Sequence, residues 1–177
     1  MSLFSKFFGS KVKEKTTPAE YSTPEERRAS RIAERQAQVE SFHERDKKQY
    51  PQKAKAATVR GKSYIFWVPK IEELKRNGDL EEALDLTLEC CKAAERAREG
   101  REPAPAYTNH AAIICRKLGY LVDEKRALER WLSFGVPSER FTSRLEKVDS
   151  LIEKKVTSGT SLDDMTRPPK TIQGKLK

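Results

Sequence analysis

The decisive stretch of the sequence is Gly78-Asp79-Leu80-Glu81-Glu82-Ala83-Leu84, which predicts a tight turn followed by a helix. Trp67 and Leu74 precede it, and further apolar residues follow it at helical spacing: Leu86, Leu88, Cys91 and Ala94. Gly78 permits the positive φ that ends a first helix, and Ala83 is small enough for two helices to approach closely. The stretch therefore predicts a helical hairpin whose first helix begins at about Pro69, after an extended apolar lead-in over 64–68.

The sequence also predicts a second pair of helices and a fifth helix after the first hairpin. Residues 100–105 hold one glycine and two prolines, which stop any helix. Apolar periodicity then predicts a second pair of helices over 106–120 and 123–134. Ser138 is a capping residue, and a fifth helix is expected from there to about Val156, with the role of covering the open end of the second pair.

The first pair resembles the tetratricopeptide repeat when Gly78 is aligned with the turn glycine of that family. Trp67 and Leu74 then occupy the large positions of the first helix, and Ala83 occupies the close-contact position of the second. Ala127 lies 44 residues after Ala83, compared with the usual period of about 34 residues. The resemblance implies an all-α protein with two tetratricopeptide-like helical hairpins plus a C-terminal capping helix.

A fainter resemblance concerns the run from Ala111 to Lys117, which is similar to helical modules that accompany HIRAN-type DNA-processing domains. The six residues from Val59 to Tyr64 are similar to a HIRAN strand, although no complete domain fits before Pro69. This resemblance implies a DNA-processing context and no activity.

The interior of the helical domain should contain the apolar residues on the inner faces of these helices. They are Trp67, Ile71, Leu74, Leu80, Ala83, Leu84, Leu86, Ile114, Leu118, Ala127, Leu128, Trp131, Phe141, Leu145 and Val148.

The positive charge of the chain lies outside this domain. Residues 1–62 hold 15 Lys and Arg against 8 Asp and Glu, residues 63–156 hold 17 against 17, and residues 157–177 hold 4 against 2. The division predicted from this pattern has five parts. They are a basic amphipathic tail over 1–21, a charged helix over 22–50, a basic linker over 51–62, the helical-repeat domain over 63–156, and a disordered tail over 157–177.

The charged helix has a clear start and stop. Thr23-Pro24-Glu25-Glu26 can form a capping box, and Tyr50-Pro51 should end the helix. The linker and the C-terminal tail contain too few apolar residues to predict folding.

Catalytic signatures are weak. The sequence has two histidines and no glycine-rich phosphate loop, nucleophile motif or paired cysteine motif. Cys90, Cys91 and Cys115 do not have disulfide or metal-ligand spacing, so we interpret them as reduced packing thiols of a cytoplasmic protein. We therefore expect a protein that is not an enzyme and that needs no cofactor or metal.

A helical-repeat domain predicts a non-catalytic module that binds another protein or a peptide. The first helices of the hairpins would form the binding face. Its candidate residues are Lys70, Lys75, Asn109, His110, Arg116 and Lys117.

Two alternatives use the basic flanks. The first is a nucleic-acid-associated factor, with the candidate residues Lys47, Lys48, Lys53, Lys55, Arg60 and Lys62. The second is an adaptor at the inner face of a membrane, where anionic lipid would attract the N-terminal lysines. Its candidate apolar residues are Leu3, Phe4, Phe7 and Phe8.

Overall fold

A computed structural model describes residues 23–135 and 137–169 of the chain. It divides the chain into one unit over Met1–Glu40 and a second over Ser41–Lys177. The described residues contain seven α-helices and one two-stranded sheet, which agrees with the all-α expectation.

The charged helix, α1, spans Pro24–Gln49 and follows the predicted capping box. The Thr23 hydroxyl accepts a hydrogen bond from the Glu26 N–H at 3.2 Å, and the Glu26 carboxylate accepts one from the Thr23 N–H at 3.0 Å. These reciprocal bonds satisfy two N–H groups that a helix start leaves unpaired. The helix ends directly before Tyr50-Pro51, so both predicted ends are confirmed.

Residues 51–63 form structure that the sequence did not predict. The short helix α2 spans Pro51–Ala56, and the antiparallel strands β1 (Thr58–Val59) and β2 (Lys62–Ser63) follow it. Val59 is buried, and its carbonyl oxygen accepts a hydrogen bond from the Trp67 indole N–H at 3.0 Å. The prediction of a basic linker over 51–62 is therefore wrong, because the nearby Trp67 and the more distant Glu89 and Glu99 hold this segment.

The turn at Gly78 is confirmed. A 3₁₀ turn over Tyr64–Trp67, rather than the expected extended lead-in, precedes α3, which spans Val68–Asn77. Gly78 has φ +89°, and the Asp79 N–H donates to the Leu74 carbonyl oxygen at 3.0 Å, which closes the end of α3. Helix α4 then spans Leu80–Arg96 with Ala83 fully buried, as predicted.

The later helices begin and end within two residues of their predicted ends. They are α5 (Pro105–Leu118), α6 (Leu121–Leu132) and α7 (Glu139–Thr157). Ser138 caps α7 by accepting a hydrogen bond from the Phe141 N–H at 3.4 Å. Each helix from α3 to α7 packs against the next one along the chain.

Two apolar clusters hold these helices together, one centred on α3, α4 and α5 and the other on α6 and α7. Ten of the expected interior residues are buried: Ile71, Leu74, Ala83, Leu84, Leu86, Ile114, Leu128, Trp131, Phe141 and Val148. The other five are half-buried: Trp67, Leu80, Leu118, Ala127 and Leu145.

The segment after α7 folds back onto the helices. A 3₁₀ turn over Asp163–Met165 buries Met165 to 1% exposure in the second cluster. The Arg167 N–H donates to Asp123 at 2.6 Å, and its guanidinium contacts Glu81 at 2.7 Å and Asp85 at 2.8 Å. The prediction of a disordered tail is wrong over 158–169, because one apolar side chain and one arginine hold that segment.

The predictions for 1–21, including Leu3, Phe4, Phe7 and Phe8, lie outside the described residues, as do those for 170–177. Within 23–135 and 137–169, the structure contains no helix that combines the length and the apolar character needed to cross a membrane.

Candidate functional site

The candidate residues of α3 and α5 meet through a lysine and a histidine. The Lys75 Nζ lies 3.1 Å from the His110 Nδ1. An ammonium group can only donate, so Nδ1 accepts and the imidazole is neutral. Burial lowers the pKa of His110, and the charge of Lys75 lowers it further. Lys70, by contrast, forms an ion pair with Glu73 on its own helix at 2.9 Å.

Asn109 links α5 to α7. Its Oδ1 accepts hydrogen bonds from Arg140 at 3.1 Å and from Arg144 at 3.5 Å. Arg140 and Arg144 are one helical turn apart on α7, so their side chains reach the same point. A single neutral oxygen atom therefore holds two cations side by side.

Glu124 is the buried centre of this region. Its side chain is 0% exposed, and its carboxylate accepts hydrogen bonds from Arg116 of α5 and from Arg144 of α7 at 2.7 Å. A buried carboxylate is tolerated only when such charged donors replace its lost hydration. Glu124 thus joins three helices, because it lies on α6 itself.

Sequence analysis missed Arg140, Arg144 and Glu124 as members of the site. The two arginines carry a signal, since their spacing of four places them on one face of α7. Glu124 carries none, because a glutamate in the first turn of a helix is ordinarily an exposed, dipole-stabilising residue.

We use the term basic patch for five cationic residues of α5 and α7. Asn109 and Glu124 bring Arg116, Arg140 and Arg144 together, Lys117 follows Arg116 in the chain, and Lys147 lies about one helical turn after Arg144. Lys117 and Lys147 are exposed at its surface. The side chains of Arg116 and Arg144 remain 36% and 22% exposed even though both contact Glu124.

A different contact joins α4 to α6. The Arg130 guanidinium donates two hydrogen bonds to Glu95, the Nε bond at 2.7 Å. Polar contacts thus connect α3 with α5, α5 with α7, and α4 with α6.

The residues of the nucleic-acid alternative do not form one free cationic surface. Lys53 forms an ion pair with Glu99 at 2.9 Å, and Arg60 donates two hydrogen bonds to Glu89 at 2.9 and 2.8 Å. Lys62 lies 5.8 Å from the centre of the Trp67 ring. The remaining three residues are exposed: Lys47, Lys48 and Lys55. Phosphate contact by Lys53 or Arg60 would compete with a carboxylate that is already bound.

The cysteines lie in packed surroundings. Cys90 and Cys115 are buried and Cys91 is half-buried. Burial raises the pKa of each thiol to about 12, which keeps the nucleophilic thiolate form scarce at neutral pH. In the described ranges 23–135 and 137–169, no group of three or more His, Cys, Asp or Glu side chains could hold a metal ion.

No protein-family model matches the chain, and no curated protein or solved structure matches it either.

Proposed function

We propose that the chain is a non-catalytic interaction module of the helical-repeat type, whose face on α3, α5 and α7 holds a segment of another protein. The observation that carries this proposal is the pattern of polar contacts between alternate helices. Lys75 with His110 joins α3 to α5, Asn109 with Arg140 joins α5 to α7, and Glu95 with Arg130 joins α4 to α6.

This pattern supports two layers of helices, one made of α3, α5 and α7 and the other of α4 and α6. Stacked tetratricopeptide-like hairpins have this layering, with the first helices of the hairpins forming an extended face for binding. Half-buried and exposed polar side chains occupy that face, among them Asn109, His110 and Lys117. The raised pKa values of the three thiols favour a packing role for the cysteines over a catalytic one.

The test compares three forms of the full chain as baits in extracts of its source cells, with the retained proteins quantified by mass spectrometry. The first is the wild type, and the second carries Lys117→Glu and Lys147→Glu, which reverse two exposed charges of the basic patch. Arg116 is left in place because a glutamate there would face the buried Glu124. The third carries Lys55→Glu and Lys92→Glu, which make the same charge change on α2 and α4.

We expect at least one protein whose recovery falls by roughly fivefold or more in the second form and stays unchanged in the third. Circular dichroism should show equal helicity for all three baits. Equal recovery of every protein from the first and second forms, or no protein retained above empty resin, would overturn the proposal.

A further inference from the structure

Four of the five acidic residues of α4 form ion pairs with arginines from other parts of the chain. Glu81 and Asp85 hold Arg167 of the C-terminal segment at 2.7 and 2.8 Å. Glu89 holds Arg60 of the β-turn, and Glu95 holds Arg130 of α6. These four carboxylates therefore have cationic partners outside the basic patch.

The basic patch keeps an excess of positive charge. Within 23–135 and 137–169, its five cationic side chains contact one carboxylate, that of Glu124, so the formal charge of the group is 5 − 1 = +4. Residues 63–156 as a whole are balanced at 17 cationic and 17 acidic residues. The patch thus arises from the segregation of charge within a neutral domain rather than from a general excess.

The other carboxylates of α7 lie to the side of the patch. Arg140, Arg144 and Lys147 form a stripe about 60° wide on the helix, taking about 100° per residue. Glu139 and Glu146 are each about 100° or more round the helix from the centre of that stripe. Asp149 points almost opposite and forms an ion pair with Lys125 at 2.7 Å.

The arginines of the patch are held in place before any partner arrives. Asn109 accepts from Arg140 and Arg144, while Glu124 accepts from Arg116 and Arg144. A guanidinium has five N–H donors, so each arginine keeps donors that these bonds do not use. Guanidinium groups bind carboxylates well, and prior positioning lowers the entropy that binding costs.

The dimensions of the patch suit a short acidic stretch of protein. Arg140 and Lys147 are separated by about 10 Å along α7, at 1.5 Å per residue. Alternate side chains of an extended chain are about 6.6 Å apart, so two carboxylates on one side of such a chain fit that length. Tyr107 of α5 and Phe141 of α7 are both buried, whereas surfaces for single-stranded nucleic acid usually offer exposed aromatic stacking platforms.

We infer that the segment bound by the basic patch is an acidic protein segment with two Asp or Glu residues on one side of the chain within about 10 Å, bound in an extended form. This inference rests on the proposed function and adds the chemical class of the partner.

The test is an NMR titration of the ¹⁵N-labelled full chain with three probes. The first is a capped ten-residue peptide of alternating Glu and Ser, and the second is its neutral match with Gln in place of Glu. The third is a hexathymidylate strand, which carries a similar number of negative charges. Backbone amides of α5 and α7 and the Nε–Hε groups of Arg140 and Arg144 are the reporters.

We expect the Glu peptide to shift these reporters and the Gln peptide to leave them in place. The Kd should rise by roughly fivefold or more with Lys117→Glu plus Lys147→Glu and stay within about twofold with Lys55→Glu plus Lys92→Glu. Equal effects of the two peptides, equal loss in both double variants, or tighter binding of hexathymidylate at the same reporters would overturn the inference. If one of these results is obtained but the pull-down finds a protein whose recovery depends on the patch, the proposed function is retained and only the acidic nature of the partner is rejected.

Discussion

Replacing Glu124 by Gln tests whether the buried carboxylate holds α5, α6 and α7 together. The wild-type carboxylate accepts three hydrogen bonds from Arg116 and Arg144. A glutamine of the same shape keeps one accepting oxygen but turns an N–H₂ group towards a guanidinium. It also leaves two cations close together without their counter-charge.

The expected cost follows from these contacts. Hydrogen bonds to charged groups contribute about 1.5–3 kcal/mol each, and removing one partner of a buried charge pair costs about 3–5 kcal/mol. The side chains of Arg116 and Arg144 are 36% and 22% exposed, so both can regain some hydration. We therefore expect Glu124→Gln to lower the free energy of unfolding by about 2–4 kcal/mol.

Urea unfolding of the full chain measures this change, with helicity followed by circular dichroism and local packing by the combined fluorescence of Trp67 and Trp131. Thermal unfolding should show a Tm lower by roughly 5–15 °C for a protein of this size. The matched control is Glu129→Gln, since Glu129 lies one to two turns away and its exposed side chain is 3.7 Å from Lys125. That variant should stay within about 0.5 kcal/mol of the wild type.

A double-mutant cycle with Arg144→Met adds a second measure. Because Arg144 and Glu124 are in direct contact, the effects of the two changes should be non-additive by about 1 kcal/mol or more. Equal stability of Glu124→Gln and Glu129→Gln, or simple additivity in the cycle, would refute the view that this carboxylate joins the three helices.

Three further results are expected. The lowered pKa of His110 means that the unfolded state binds a proton more readily, so stability should be full above about pH 6.5 and fall as the pH drops through the folded-state pKa; urea unfolding at several pH values should show a smaller fall for His110→Gln. Met165→Ala should cost about 2–4 kcal/mol because Met165 is buried, whereas Leu162→Ala, at an exposed position, should cost less than about 0.5 kcal/mol in the same assay. The three cysteines should react with iodoacetamide at pH 8 more than about tenfold more slowly in the native protein than in urea, and equal rates would contradict their assignment as packed thiols.

The helices could be predicted because their ends are encoded locally. Gly78 ends α3 and Ser138 caps α7, while Pro105, predicted only as part of the helix-stopping segment 100–105, is the first residue of α5. Each of these residues acts within one helical turn, so the end of the helix can be predicted from the residues next to it. The apolar spacing between these signals then indicates which residues are buried.

The two segments predicted to lack structure depend on contacts between distant residues. The α2 and β1–β2 segment is held to α4 by the pair of Arg60 with Glu89, and Lys53 pairs with Glu99 just beyond α4. The C-terminal segment is held by Arg167 and Met165. Composition argues against folding in both segments, because each contains few apolar residues. A segment that packs against an existing domain needs far less apolar surface than one that folds alone.

In the candidate site, too, the spacing of residues within one helix could be predicted, whereas the contacts between helices could not. The spacing of Asn109 and Arg116 on α5 is visible in the sequence, and so is that of Arg140 and Arg144 on α7. Their union depends on the packing of both α5 and α7 against α6 and on the burial of Glu124 between them. Neither feature can be predicted from apolar periodicity, because periodicity indicates which face of a helix is apolar but not which other helix packs against that face.

The charge balance of the helical domain differs between the sequence and the folded chain. The equal numbers of cationic and acidic residues over 63–156 suggest a domain without electrostatic preference. In the structure, Arg60 and Arg167 come from outside that range and neutralise carboxylates of α4. These two arginines add to the 17 cationic and 17 acidic residues of the domain, so cationic residues outnumber acidic ones by two once they are counted with it. The flanking segments therefore do more than extend the chain with positive charge, since they also cover carboxylates of α4.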